Sequence, residues 1–288
     1  MRWYANVKEV GGGDTTVVLA HGYGANQTLW DKLLPALSEH HRVILFDWDF
    51  TGAGDDEEAG RYTFGRFADD LIALMDDKGV RGAVVVGHSM SAMAACIASV
   101  RRPDLFAHLV LLCASPRYLD SPSEGYVGGF DRASIDGMLG AMSSDFVAWV
   151  KGFVPNAAGG DSSAAVALEQ SFLSMHRSVA LEVARMIFLG DQRGVLDAVA
   201  APCTVVQVAG DFAAPPAVAE YMRQRMMTRS PEAEAEVEVV VMDSVGHFPQ
   251  LVAPQQLLAV LQRVLQREEE DEQAGEAAKV VDGIDVMA

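Results

Sequence analysis

One turn constrains the fold of this chain more than any other feature. Three valines at 84–86 run directly into a Gly-His-Ser-Met-Ser turn at 87–91, and an alanine-rich stretch follows. A β-branched run that ends in such a turn and opens a helix is typical of a nucleophile elbow, in which the serine hydroxyl stands exposed above a sheet. Ser91 takes the place of the usual second glycine. The alternative is an ordinary strand-to-helix loop that happens to contain Ser89.

Short apolar runs and helix-spaced segments alternate along the chain, which predicts α/β architecture with a mostly parallel sheet and helices on both faces. The predicted strands are residues 15–20, 42–46, 82–86, 108–113, 203–208 and 237–242, and the clearest helices are 67–75, 90–100 and 255–265. A dinucleotide-binding fold is a weaker alternative. Gly22 and Gly24 follow the first strand and Asp47 ends the next, but Gln27 occupies the third glycine position.

The segment between the predicted strands 108–113 and 203–208 carries helical spacing only, at 135–142, 146–150, 164–175 and 179–188. We therefore expect an inserted four-helix lid at 119–191 over a core formed by 1–118 and 192–267. The last 21 residues, 268–288, contain eight acids and one lysine. Such a charge run predicts a disordered acidic tail.

Composition excludes several classes of protein. The chain has 22 Lys and Arg against 40 Asp and Glu, a formal charge of −18, so it should repel nucleic acids and anionic membranes. Half of its residues are hydrophobic, which is enough for a large core. Cys96, Cys113 and Cys203 show neither disulfide nor zinc-site spacing, and we find no secretion signal or membrane span. We expect a monomer in the cytoplasm, the nucleus or both.

A serine nucleophile needs a histidine base and an acid that orients it. After an elbow at Ser89, the acid should come before the histidine in the chain. Asp211 follows the strand at 203–208, and His247 follows the strand at 237–242. Asp243 and the more distant Asp191 are rival acids.

Two backbone N–H groups should stabilise the oxyanion of such a site. A His-Gly-Tyr-Gly sequence at 21–24 follows the first strand, where this kind of fold supplies one donor, and the residue after the nucleophile supplies the other. We therefore expect the amides of Tyr23 and Met90 to donate. The triad would supply nucleophile, base and electrostatic stabilisation itself, so no metal or organic cofactor is expected.

Several longer segments resemble one branch of the α/β-hydrolases, the plant karrikin and strigolactone receptors and the bacterial stress regulator RsbQ. The segments are HGYGANQTLW at 21–30, GHSMSAM at 87–93, RRPDLF at 101–106, ASPRYL at 114–119, GGF at 128–130 and GHFPQL at 246–251. The resemblance implies an α/β-hydrolase fold with a V-shaped four-helix lid and slow hydrolysis of butenolide lactones. It assigns the triad to Ser89, Asp211 and His247.

The same resemblance implies an apolar ligand pocket and protein partners. Besides Tyr23, the implied wall residues are Tyr126, Met138, Phe153, Leu173, Phe188 and Phe212. In the hormone receptors, ligand processing is coupled to binding of a leucine-rich-repeat F-box protein and a repressor. One segment departs from the receptors: residues 46–54 read FDWDFTGAG, which is closer to the dwarf-fourteen-like-two branch. The alternatives are a dedicated esterase or carbon–carbon bond hydrolase, and a regulatory binding protein of the RsbQ kind.

Overall fold

A computed structural model describes residues 2, 4–50, 61–227 and 237–285. Its centre is a seven-stranded sheet in the order β1-β3-β2-β4-β5-β6-β7. Only β1 runs antiparallel to its neighbour, so the sheet is mostly parallel, as predicted. The strands are β1 Tyr4–Gly11, β2 Thr16–Ala20, β3 Arg42–Trp48, β4 Ala83–His88, β5 Phe106–Leu112, β6 Cys203–Gly210 and β7 Val237–Val245.

Helices cover both faces of this sheet because successive strand residues point to opposite sides. Val18 and Val85 belong to the core under helices α2, α3 and α8, whereas Val17 and Val84 pack with α1 and α10. The helices are α1 Leu34–Leu37, α2 Phe64–Asp77, α3 Met90–Arg101, α4 Arg132–Ser144, α5 Phe146–Ala157, α6 Ser162–Ser174, α7 Arg177–Leu189, α8 Pro216–Met227, α9 Pro249–Val252 and α10 Pro254–Asp285. The predicted α/β-hydrolase fold is confirmed.

Helices α4–α7 lie between β5 and β6, and we call them the cap helices. They contact the loops at the carboxyl edge of the sheet. The Tyr23 hydroxyl donates to the Ala180 carbonyl of α7 at 2.8 Å, and the His247 N–H donates to the Ala157 carbonyl of α5 at 2.9 Å. Residues 51–54 of the FDWDFTGAG segment lie outside the described residues. Among the helices that the structure describes, none is long and apolar enough to cross a membrane.

Strand β1 was not predicted from the sequence. It lies at the edge of the sheet, and most of its side chains are exposed or only half-buried. An edge strand pairs on one side through its backbone and buries few side chains, so its sequence carries little apolar signal. Helix α8 was also not predicted from the sequence. It buries only a few side chains, such as Val218 and Met222, and polar residues lie between them.

The prediction of a disordered tail from residue 268 is wrong, because α10 continues as one helix to Asp285. Its extension is attached to the core at the start. Glu268 accepts a hydrogen bond from His108 Nδ1 at 2.8 Å, and Glu269 accepts one from His41 Nε2 at 3.1 Å. Both histidine side chains are largely buried. Charge composition alone could not reveal these two partners, which lie far from the segment in sequence.

The close packing of α3 on β4 should make Gly87 sensitive to substitution. A Cβ atom there would lie 2.7 Å from the Cα of Ala92, which is backbone and cannot move aside. We expect Gly87→Ala to lower the free energy of unfolding by about 1–3 kcal/mol in urea denaturation, as overpacking does. Gly140→Ala is the matched control, because a Cβ atom on that exposed helical residue meets nothing within 4 Å. Equal effects of the two substitutions would contradict this account of the packing.

Candidate active site

The elbow places Ser89 above the sheet between β4 and α3. Its backbone has φ 55° and ψ −113°, a left-handed conformation that is rare for a residue with a side chain. The Ser89 N–H donates to the Leu112 carbonyl of β5 at 2.8 Å, which fixes the turn against the neighbouring strand. The side chain is buried, with 6% of the residue exposed. Strain of this kind persists only where the surrounding packing imposes it.

Ser89, His247 and Asp211 form one connected chain of hydrogen bonds. Ser89 Oγ lies 2.9 Å from His247 Nε2, and His247 Nδ1 lies 2.7 Å from Asp211 Oδ2. All three residues are buried. With the Nδ1 proton donated to the carboxylate, Nε2 is free to accept the serine proton. The sequence placed these three residues after three different strands, and the structure brings them together.

Two backbone contacts fix the position of the histidine. The His247 N–H donates to Ala157 of α5, and the His247 carbonyl accepts from His88 Nε2 at 2.8 Å. Burial holds the pKa of His88 well below its ordinary value, so its ring stays neutral. His88 therefore supports the loop of the base without adding charge beneath it. The residue is fully buried.

Asp211 is held by donors on several sides. Its Oδ1 accepts from the Ala213 N–H at 2.8 Å, while Oδ2 accepts from His247. The thiol of Cys113 lies beside the carboxylate. Burial, and then the charge of Asp211, raise the pKa of that thiol well above its ordinary value, so it remains an S–H group. Side-chain atoms of Cys113, Asp211 and His247 that could bind a metal ion lie within 4.8 Å of one another. Asp211 and His247 are, however, already hydrogen-bonded to each other.

The rival acids lie elsewhere. Asp243 is exposed on β7, and its backbone carbonyl accepts a hydrogen bond from Gln256. Asp191 pairs at the surface with Arg117 and Arg193. Neither carboxylate has a recorded hydrogen bond to His247 among the described residues, whereas Asp211 has one.

The two amides expected to stabilise an oxyanion follow the ends of two adjacent strands. Tyr23 comes after β2 and Met90 follows Ser89 after β4. Within the part of the chain that the structure describes, neither N–H donates to a protein acceptor. Gly22, which precedes Tyr23, has no room for a side chain, because a Cβ atom there would lie 3.1 Å from Ser89 Cβ. Two free donors beside a nucleophile could hold a negatively charged oxygen.

The predicted wall residues divide into two groups. Phe212 lies 6.5 Å from the His247 ring and 5.5 Å from the ring of Phe153. Phe188 lies 5.0 Å from Tyr118, a neighbour of the serine. Tyr126, Met138 and Leu173 have different surroundings.

Tyr126 and Leu173 make other contacts than a pocket wall would require. The Tyr126 hydroxyl donates to the Arg117 carbonyl at 2.6 Å, and its ring packs against Tyr221. Leu173 is 39% exposed, as is Phe212. The preceding residue, Phe172, is buried instead, because one step along a helix turns the side chain by about 100°. Met138 is half-buried and packs at the edge of the core.

Two residues near the serine were not proposed from the sequence. The Tyr118 hydroxyl lies 3.3 Å from Ser89 Oγ, and its side chain is buried. The Phe172 ring contacts the rings of Tyr23 at 5.4 Å and Phe153 at 5.5 Å. Tyr118 belongs to the ASPRYL segment that carries the family resemblance, and it follows β5 at the carboxyl edge, so its position held a usable signal.

Comparison with known proteins agrees with this geometry. A sequence profile of the alpha/beta hydrolase fold matches residues 15–254. The chain belongs to this family. It is 40% identical over 266 residues to the strigolactone esterase D14 of Arabidopsis thaliana, covering 91% of this chain and 96% of that protein. It is also 40% identical to the karrikin insensitive 2 receptor CA of Petunia hybrida, covering 90% and 94% of the two chains.

A solved structure is also similar. The hydrolase olei00960 from Oleispira antarctica superposes with a TM-score of 0.83 at 28% identity, covering 91% of this chain and 94% of that one. The matches to the strigolactone esterase and the karrikin receptor confirm the resemblance read from the sequence. With its serine, histidine and aspartate in hydrogen-bonded order, this α/β-hydrolase is a serine hydrolase.

The acid can be tested by a pair of substitutions. Asp211→Asn should lower kcat for a simple ester by about 10³- to 10⁴-fold, because an amide leaves the imidazole in the wrong tautomer. Asp243→Asn is the matched control, an exposed residue on the preceding strand, and it should leave kcat unchanged. A large loss in Asp243→Asn with activity kept in Asp211→Asn would reverse the assignment.

Proposed function

We propose that this serine hydrolase binds and slowly hydrolyses butenolide-type lactones, and that it acts as a hormone receptor or a close paralogue of one. The hydrogen-bonded chain from Asp211 through His247 to Ser89 carries the proposal. Two further observations support it. The ring of Phe212 packs against His247 and the cap residue Phe188 packs against Tyr118, and relatives named as strigolactone esterase and karrikin receptor match about nine-tenths of the chain.

The chemistry follows from the three groups. His247 Nε2 takes the proton of the Ser89 hydroxyl as the serine oxygen attacks the lactone carbonyl, and the imidazolium is stabilised by Asp211. The carbonyl oxygen becomes an oxyanion that the Tyr23 and Met90 amides receive. The ring C–O bond then breaks, and the leaving oxygen takes the proton from His247. Water, deprotonated by the same base, finally releases the acyl group from Ser89.

The surroundings of the serine suit an apolar ring with one polar edge. Phe153, Phe188 and Phe212 present aromatic carbon, while the Tyr118 hydroxyl beside Ser89 offers a hydrogen-bond donor. Burial raises the pKa of Tyr118 far above its ordinary value, so that hydroxyl keeps its proton. Small-molecule sites combine apolar walls with a few such polar groups. A neutral lactone fits this combination better than a charged substrate does.

A signalling role would require that ligand processing change a surface that other proteins contact. Cap helices α5 and α7 are hydrogen-bonded to the loops of His247 and Tyr23, so a change at the site reaches the cap directly. The partners implied by the family resemblance are a leucine-rich-repeat F-box protein and a repressor. The chain would bind them through a cap that the ligand has rearranged.

Turnover and adduct formation test the proposal together. We expect native protein to hydrolyse a fluorogenic butenolide slowly, with preference for one stereoisomer, and to give an acyl adduct on Ser89 in intact-protein mass spectrometry. Ser89→Ala should lose both signals. Ser99→Ala is the matched control, because this buried serine of α3 donates to the Cys96 carbonyl within its own helix and lies outside the triad.

The other outcomes separate the remaining functions. Cleavage of simple acyl esters through Ser89 without butenolide turnover would favour a dedicated esterase or a carbon–carbon bond hydrolase. Ligand-independent partner binding that survives Ser89→Ala would favour a regulatory protein of the RsbQ kind. A complex with the F-box protein that forms only with butenolide would support the receptor role.

A further inference from the structure

We propose that Trp48 is a positioning residue that ties the loop carrying the Tyr23 amide to the nucleophile elbow. This inference rests on the proposed function, because it concerns the oxyanion donors of the same site. Trp48 ends β3 and is buried, with 3% of the residue exposed. It belongs to the FDWDFTGAG segment at 46–54, in which the sequence departs from the receptors.

The indole N–H joins two structural elements. Trp48 Nε1 donates to the His21 carbonyl at 3.0 Å and to Ser91 Oγ at 2.8 Å. Ser91 Oγ in turn donates to the same carbonyl at 2.5 Å. His21 directly follows β2, and Ser91 lies in the first turn of α3. These three bonds close a buried ring that links the oxyanion loop to the elbow.

Trp48 also holds the ring of His21. The Trp48 backbone N–H donates to His21 Nε2 at 2.9 Å, so Nε2 must be the unprotonated nitrogen and Nδ1 must carry the hydrogen. His21 Nδ1 lies 2.9 Å from the Gly22 carbonyl and donates to it. Burial lowers the pKa of His21 to about 4, so the ring is neutral although Asp47 lies 4.0 Å away. A single tautomer satisfies both ring nitrogens.

The hydrogen bond to Gly22 sets the direction of the oxyanion donor. The Gly22 carbonyl and the Tyr23 N–H belong to one planar trans peptide and point in opposite directions. By holding the carbonyl on the His21 side, with a second bond from the Ala25 N–H at 3.3 Å, the loop turns the Tyr23 N–H the other way. That N–H has no acceptor among the described residues. A rotated peptide would present a carbonyl oxygen to the oxyanion instead.

The order of the strands allows the Trp48 side chain to contact both the β2 loop and the elbow. Strand β2 lies between β3 and β4, so a residue at the end of β3 must reach past the β2 loop to touch the elbow after β4. The indole is long enough and carries one donor at its far edge. Trp48 therefore brings three neighbouring strand ends into one hydrogen-bonded unit.

Replacing the indole by a ring without the N–H tests the proposal. Trp48→Phe should lower kcat for p-nitrophenyl acetate about 10- to 100-fold, somewhat less than complete loss of an oxyanion donor, and leave KM within about twofold. Trp30→Phe is the matched control. Trp30 is fully buried, and its Nε1 has no partner among the described residues, so the same atoms are lost without a hydrogen bond. Its kcat should stay at the native value, and an equal loss in Trp30→Phe would overturn the proposal.

Ser91 provides an independent variant. Ser91→Ala should also lower kcat, and the double variant with Trp48→Phe should lose little more than the larger single loss, because both act on the His21 carbonyl. Losses that multiply would show separate roles and contradict the proposal. The pH dependence of kcat/KM should keep its midpoint in all three variants, because the Ser89–His247–Asp211 chain is untouched. A shifted midpoint would mean that the base was disturbed, which also contradicts it.

Boronate binding separates this proposal from the proposed function. Phenylboronic acid adds to Ser89 Oγ through boron while the serine proton moves to His247, and the tetrahedral anion uses the oxyanion donors without any turnover. We expect Trp48→Phe to weaken its binding in calorimetry about as much as it lowers kcat, and Trp30→Phe to leave it unchanged. Native protein that binds boronate but hydrolyses no butenolide would refute the lactone substrate only. Unchanged boronate affinity in Trp48→Phe would refute the positioning role only.

Discussion

The left-handed backbone of Ser89 is the constraint on which the rest of the site depends. A non-glycine residue in that region costs on the order of 1–3 kcal/mol, and tight packing must hold it there. Gly87 lies against the Cα of Ala92, and Gly22 lies against Ser89 Cβ, with no space for side chains at either glycine. Because the turn cannot relax, the hydroxyl meets His247, and the next amide has no acceptor among the residues that the structure describes.

The loops around this turn contribute one charged residue, Asp211, and two neutral histidines, His21 and His88, that hold the backbone in place. Asp211 brings the negative charge, which hydrogen bonds from His247 and the Ala213 amide stabilise. His21 and His88 are kept neutral by burial and act as rigid spacers with one donor each. Neutral supports suit a site in which a positive imidazolium and an oxyanion form briefly, because a further fixed charge would favour one protonation state of the base.

Much of this site could be predicted from the sequence because the chemistry requires particular residues at particular strand ends. Ser89, Asp211 and His247 each follow an apolar run, and Asp211 was preferred to Asp243 because an acid in the loop after a strand matches this kind of fold better. The edge strand β1 gave no signal because its backbone does the pairing. Phe172 was not proposed although its neighbour Leu173 was, because both are apolar, and which of the two is buried depends on a helix rotation that spacing alone did not resolve. The helix beyond residue 268 depends on His41 and His108, which lie far away in the chain.

The cap and the catalytic histidine are joined by direct contacts at the end of α5. The His247 amide is hydrogen-bonded to the last residue of α5, and Gly246 packs so closely on Gly159 that a Cβ atom would lie 2.7 Å from its nitrogen. A displacement of that helix end pulls directly on the loop of the base. The end of α5 and the loop of the base are thus joined by a direct backbone hydrogen bond, without intervening residues.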